Sequence, residues 1–234
     1  MRHEVLRVYL QEIQNQCTIA QQAVQDMSSL LGDAYTGTLF GGQSAQAVRF
    51  WYALQSFLTA VARISNLLWP GAGKRGEDKH TKAFRANRGH ELCAILELDH
   101  RSVLYPRVLR DHVEHLDERL DRWAQEVEVT GDLALYVRMI QPGSATTIGL
   151  DPARCFLFFD ANAHRVTFMG EEFELPPLGW AVQALGEQVK HILDTPPSAE
   201  EVSPPFAVRQ RDTEQSSDAR LHAEGDVTHD ELAP

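Results

Sequence analysis

The segment Leu109–Trp123, LRDHVEHLDERLDRW, holds the side chains best suited to chemistry. Arg110 and His115 are separated by four residues, and Asp111 follows the arginine directly. An imidazole serves as general base or acid near neutral pH, here on a ribose 2′-hydroxyl or a leaving oxygen. A guanidinium fork suits the charge that builds on a phosphate. Read as a helix at ~100° per residue from Leu109, Asp111 falls at about 200°, His115 at about 240° and Glu118 at about 180°. These three point away from an apolar stripe of Leu109, Val113, Leu116, Leu120 and Trp123. Asp111 and His115 form an i,i+4 pair, spaced for a carboxylate to orient an imidazole. Arg110, at about 100°, lies on the flank with Glu114 and Asp117 in salt-bridge reach. The plain alternative is a solvated helix face laced with ion pairs.

The pattern Arg110, Asp111, three residues, His115, continued by Glu114–Leu120 (EHLDERL), resembles the HEPN superfamily, the higher eukaryotes and prokaryotes nucleotide-binding domains. Those proteins carry Arg, then Asn, Asp or His, then a few residues and His on a late helix of a helical bundle. The stretch FWYALQSFLTAVARISNLLWP is similar to the preceding bundle helix of some bacterial members. The resemblance covers roughly residues 1 to 127. It implies a metal-independent endoribonuclease in a toxin or defence setting, with an antitoxin as partner. Catalysis would rest on Arg110, Asp111 and His115, in a site formed where two subunits of a homodimer meet. Other members have lost catalysis and only bind or scaffold, and that remains the alternative, beside a plain helical scaffold. Asp111 stands where Asn is commoner; a carboxylate there either holds the imidazole or repels a phosphate.

A second cluster is basic. Lys74, Arg75, Lys79, Lys82, Arg85 and Arg88 face only Glu77 and Asp78 in the same stretch. Such a run could track an RNA backbone, or be an ordinary surface loop. Its opening Gly-Ala-Gly-Lys is not a P-loop, because the first glycine is missing and Arg75 replaces Ser/Thr. No cofactor is implied. His112 and His115 are spaced i,i+3, but no third ligand is apparent, so no metal site is expected. Trp51, Trp69 and Trp123 read as core.

Composition frames these readings. The hydrophobic content of 43% allows a sizeable core, and the formal charge of −11 excludes nucleic-acid binding by bulk charge. Cys17, Cys93 and Cys155 are odd in number and scattered, which fits a reducing, cytoplasmic compartment without disulfides. The charged N-terminus is unlike a signal peptide, and no apolar run suits a membrane helix.

The expected architecture is a mainly α, HEPN-like helical bundle over residues 1–130. A β-hairpin and helix appendage over 131–194 packs on it, followed by a disordered acidic tail over 195–234. Helical periodicity predicts helices over 4–31 and 44–68, the latter ended by Pro70. A loop over 71–86, a short helix over 88–98 and one helix from Pro106 to about Val127 follow. Strands are predicted at Ala134–Ile140, Cys155–Phe159 and Val166–Phe168, with Phe173–Leu175 as a further pairing segment. The turn Asp160–Ala163 joins two of them, and a last helix spans Leu178–Leu193. In the tail, acids outnumber Arg209, Arg211 and Arg220 and supply over half of the net charge.

Overall fold

The computed structural model describes residues 2–31, 40–41, 45–73, 76–105, 107–130, 136–141 and 155–195. Their helices are α1 (His3–Leu31), α2 (Ala45–Leu68), α3 (Lys79–Ile95), α4 (Arg107–Glu114), α5 (Leu116–Thr130) and α6 (Leu175–Asp194). Their strands are β1 (Phe40–Gly41), β2 (Tyr136–Gln141), β3 (Cys155–Asp160), β4 (Arg165–Phe168) and β5 (Glu171–Glu174). Residues 196–234 lie outside the described residues, and with them the reading of an acidic tail. Pro106, Lys74 and Arg75 also lie outside them.

Helix α2 is apolar on nearly every side and is therefore the centre of the core. It buries Phe50, Trp51, Leu54, Phe57, Leu58, Val61, Ile64 and Leu68. Helix α1 contributes one stripe, Leu10, Ile13, Cys17, Ala20, Ala23 and Met27, packed on α2 and on α6. Helix α6 begins three residues earlier than periodicity predicts, at Leu175. Pro176 and Pro177 fall in its first turn, where a missing N–H costs nothing. At its other end the Leu193 carbonyl accepts a hydrogen bond from Arg7 of α1 at 2.8 Å.

The strands form one sheet in the order β1-β2-β3-β4-β5. Strands β3, β4 and β5 are an antiparallel meander, in register through Leu157 opposite Phe168 and Val166 opposite Phe173. Strand β2 runs parallel to β3, and β1 antiparallel to β2. The predicted turn forms as an Asx turn, with Asp160 Oδ1 accepting from the amides of Asn162 at 2.8 Å and Ala163 at 3.2 Å. The Phe159 ring lies 4.7 Å from Phe50 of α2, and Phe156 lies 5.9 Å from Trp123 of α5. The core is thus continuous across the expected 130/131 boundary: Phe156, Phe159, Val166, Phe168, Leu178 and Val182 join the residues of α1 and α2.

Two helix expectations need correction. The stretch predicted as a loop over 71–86 becomes helical at Lys79, and α3 runs to Ile95. Asp78 caps it, its carboxylate accepting from the Thr81 amide at 2.9 Å. Few apolar positions announce this helix, because only Gly89 and Leu92 are buried. The single predicted helix over 106–127 is α4 and α5, with His115 at the junction. Helical hydrogen bonds still cross it, from His115 to the Asp111 carbonyl at 3.1 Å and from Arg119 to the His115 carbonyl at 3.0 Å. Among the described residues no helix is long and apolar enough to cross a membrane.

Candidate functional site

The end of α2 determines where Arg110 goes. A helix leaves its last carbonyls without intrahelical donors, and Pro70 has no N–H to offer the Asn66 carbonyl. Arg88 of α3 fills that vacancy, donating to Asn66 O at 3.0 Å. Cys93 donates its thiol to Leu68 O at 3.4 Å. Arg110 of α4 donates from Nη1 to Trp69 O at 3.1 Å. Two guanidiniums therefore sit at the negative end of the α2 dipole, where cations are favoured.

Arg110 is consequently buried, 5% exposed, and not on a solvent-facing flank. Glu114 does not pair with it; that carboxylate takes a hydrogen bond from Asn66 of α2. Asp111 lies with its Oδ1 3.7 Å from Arg110 Nε. His115 points outward, its side chain 53% exposed, with Nδ1 3.4 Å from Glu118 Oε1. So Asp111 contacts the arginine, and Glu118 is the carboxylate beside the imidazole. The wheel places Asp111 and His115 on the outer side, as found. Of the apolar stripe, Leu109 and Trp123 are buried, Val113 and Leu116 are partly covered, and Leu120 is 37% exposed. Past the junction at His115 the stripe is least covered at Leu120.

His112, which sequence reasoning weighed only as a metal ligand beside His115, is 1% exposed. Its ring stacks on Phe168 of β4, centroids 5.1 Å apart and planes 19° from parallel, and meets Phe173 of β5 edge-on at 5.7 Å. Nε2 lies 2.9 Å from Glu171 Oε2. Nδ1 is buried without a hydrogen-bond partner. The ring joins the bundle to the sheet.

The basic stretch is divided in the same way. Lys79 and Lys82 are exposed on α3. Arg85 is bound to Glu77 at 2.6 Å. Arg88, besides its bond to Asn66, lies 5.3 Å above the Tyr9 ring. Of the four described cations, Arg85 is thus tied to the segment before α3 and Arg88 braces the bundle. Among the described residues no group of three or more His, Cys, Asp and Glu side chains is gathered to hold a metal. No disulfide joins the cysteines. Burial pushes the Cys17 thiol up to about 12 and also raises Cys93, which keeps both protonated and poorly nucleophilic.

Beside Arg110 opens a cleft of about 250 Å³. Its walls come from α2 (Val61, Ser65), α4 (Leu109, Arg110), β5 (Phe173) and α6 (Leu178). Compared with family models, curated proteins and solved structures, the chain finds no match.

Proposed function

We propose that this chain is a HEPN-like module that binds and assembles without cutting RNA, using the outer face of α4 and α5 as the contact surface of a homodimer. The inward turn of Arg110 carries the reading. Metal-independent cleavage needs a cation and an acid–base group on one phosphate. Here the cation is 5% exposed and committed to the Trp69 carbonyl, while His115 faces solvent. Supporting assembly, Val108 of α4 is 45% exposed and Leu120 of α5 is 37% exposed. A two-fold mate would cover such residues.

A second reading is a metal-independent endoribonuclease in a toxin or defence setting, with an antitoxin partner. It is favoured by the accessibility of His115 next to Glu118, and it requires Arg110 to leave Trp69 when RNA or a second subunit arrives. The assembly reading is tested by light scattering on the purified chain and on Val108→Arg and Leu120→Arg. The expected result is a dimer that each substitution shifts to monomer. A wild-type protein that is monomeric at about 50 μM, a concentration at which any contact with a low-micromolar Kd is occupied, would remove the assembly reading.

A further inference from the structure

We propose that the cleft beside Arg110 is a binding site for a small monocarboxylate with an apolar body, a role separate from any assembly through α4 and α5. Two nearly fully buried polar residues lie on its wall, Arg110 at 5% and Ser65 at 2% exposure. Ser65 Oγ lacks a hydrogen-bond partner within the protein, and Arg110 Nε makes none, with Asp111 Oδ1 3.7 Å away as its ion-pair neighbour. Ser65 is unlike the other helical serines: Ser28, Ser29 and Ser56 each bond back to the carbonyl four residues earlier, at 2.8–2.9 Å. An unsatisfied buried hydroxyl destabilises the free protein, so its place on the wall of a cleft is explained by what the cleft receives.

The chemistry of the walls selects the ligand. A guanidinium anchored through Nη1 on Trp69 and flanked at Nε by Asp111 keeps its Nη2 donors in a fixed plane, which suits a carboxylate oxygen. Ser65 adds a donor from α2. Val61, Leu104, Leu109, Phe173 and Leu178 form an apolar lining for the rest of the molecule. Glu172 and Glu174 of β5 stand in the same lining and are exposed. Glu172 is bound to Arg165. Carboxylates there repel a multiply charged phosphate more strongly than a monoanion, so the cleft does not suit a nucleic-acid backbone. The volume of about 250 Å³ fits a molecule the size of benzoate or hexanoate.

The test is titration of the full chain with benzoate, hexanoate, benzyl alcohol and inorganic phosphate, followed by calorimetry and thermal melting. Benzoate or hexanoate should bind saturably with Kd at or below about 10 mM, and benzyl alcohol and phosphate should bind at least roughly tenfold more weakly. Ser65→Ala keeps the fold and should weaken carboxylate binding by roughly tenfold while raising the melting temperature of the free protein. Arg110→Met should abolish binding. The proposal is overturned if neither carboxylate binds, if phosphate binds as well as benzoate, or if Ser65→Ala binds as tightly as wild type. None of these outcomes depends on whether the chain is a dimer.

Discussion

Arg110 shows how one side chain can be read correctly as special and placed wrongly. Its type is legible at once: an arginine in a stripe-bearing helix, beside Asp111 and five positions before His115. Its direction is not, because a helical wheel fixes the centre of a buried arc and not its width. The arc here extends from Arg110 on one edge to His112 on the other, since the end of α2 presses on the first and β4–β5 on the second. Neither neighbour is visible from the local sequence. The consequence is a stability role for Arg110. Arg110→Met would leave the Trp69 carbonyl without its donor and should cost about 1.5–3 kcal/mol, the usual loss for a hydrogen bond to a charged group. Arg110→Lys should recover part of it, because an ammonium can reach the carbonyl but lacks the planar fork. Urea unfolding of the two variants checks this. Equal stability of wild type and Arg110→Met would return the side chain to a purely functional role.

At the scale of elements, the long helices and the strands follow from periodicity. Helices α1 and α2 carry unbroken apolar repeats, and β3 and β4 lie where short apolar runs flank the Asp160 turn. Helix α3 was hidden because its exposed sides are polar and basic, and its signals are a cap and a close approach. The cap makes a pH prediction. Hydrogen bonds from the Thr81 and His80 amides hold the Asp78 carboxyl below its ordinary 3.8. Its contribution is therefore fully present above the ordinary carboxylate value and is lost as pH falls through the lowered one. Asp78→Asn, an equally good cap, should keep neutral-pH stability and flatten that acid limb, whereas Asp78→Ala should lower the melting temperature at pH 7. Melting curves from pH 2 to pH 7 (a range spanning the reference carboxylate pKa of about 3.9) separate the two. The close approach is at Gly89, where a Cβ would stand 2.6 Å from both the Leu68 carbonyl and Pro70 Cδ. Gly89→Ala must push α3 away from the end of α2, and a loss of about 1–3 kcal/mol is expected in chemical denaturation, as for other overpacked contacts. A neutral or stabilising alanine would mean that the α2–α3 junction is looser than this geometry.

For the molecule as a whole, the mainly helical class was readable, and the joining of sheet and bundle into one core was not. Sequence order suggests an appendage packed on the bundle after residue 130; the residues that do the packing, Phe156, Phe159 and Phe168 in the same core as α2 and α6 against α1, are not marked in the sequence. Long-range packing of this kind leaves no local periodicity to read. It also separates the motif residues: the bundle draws Arg110 in to close α2, and His115 stays outside at the α4–α5 junction. The most direct test of the binding-module account is incubation of the purified chain with a mixed-sequence RNA in EDTA, with product ends read by mass spectrometry. The account predicts intact RNA for wild type, Arg110→Ala and His115→Ala alike. Wild-type products ending in 2′,3′-cyclic phosphate that disappear in His115→Ala, a loss of about 10²- to 10⁴-fold for an acid–base group, would contradict it and establish the nuclease reading.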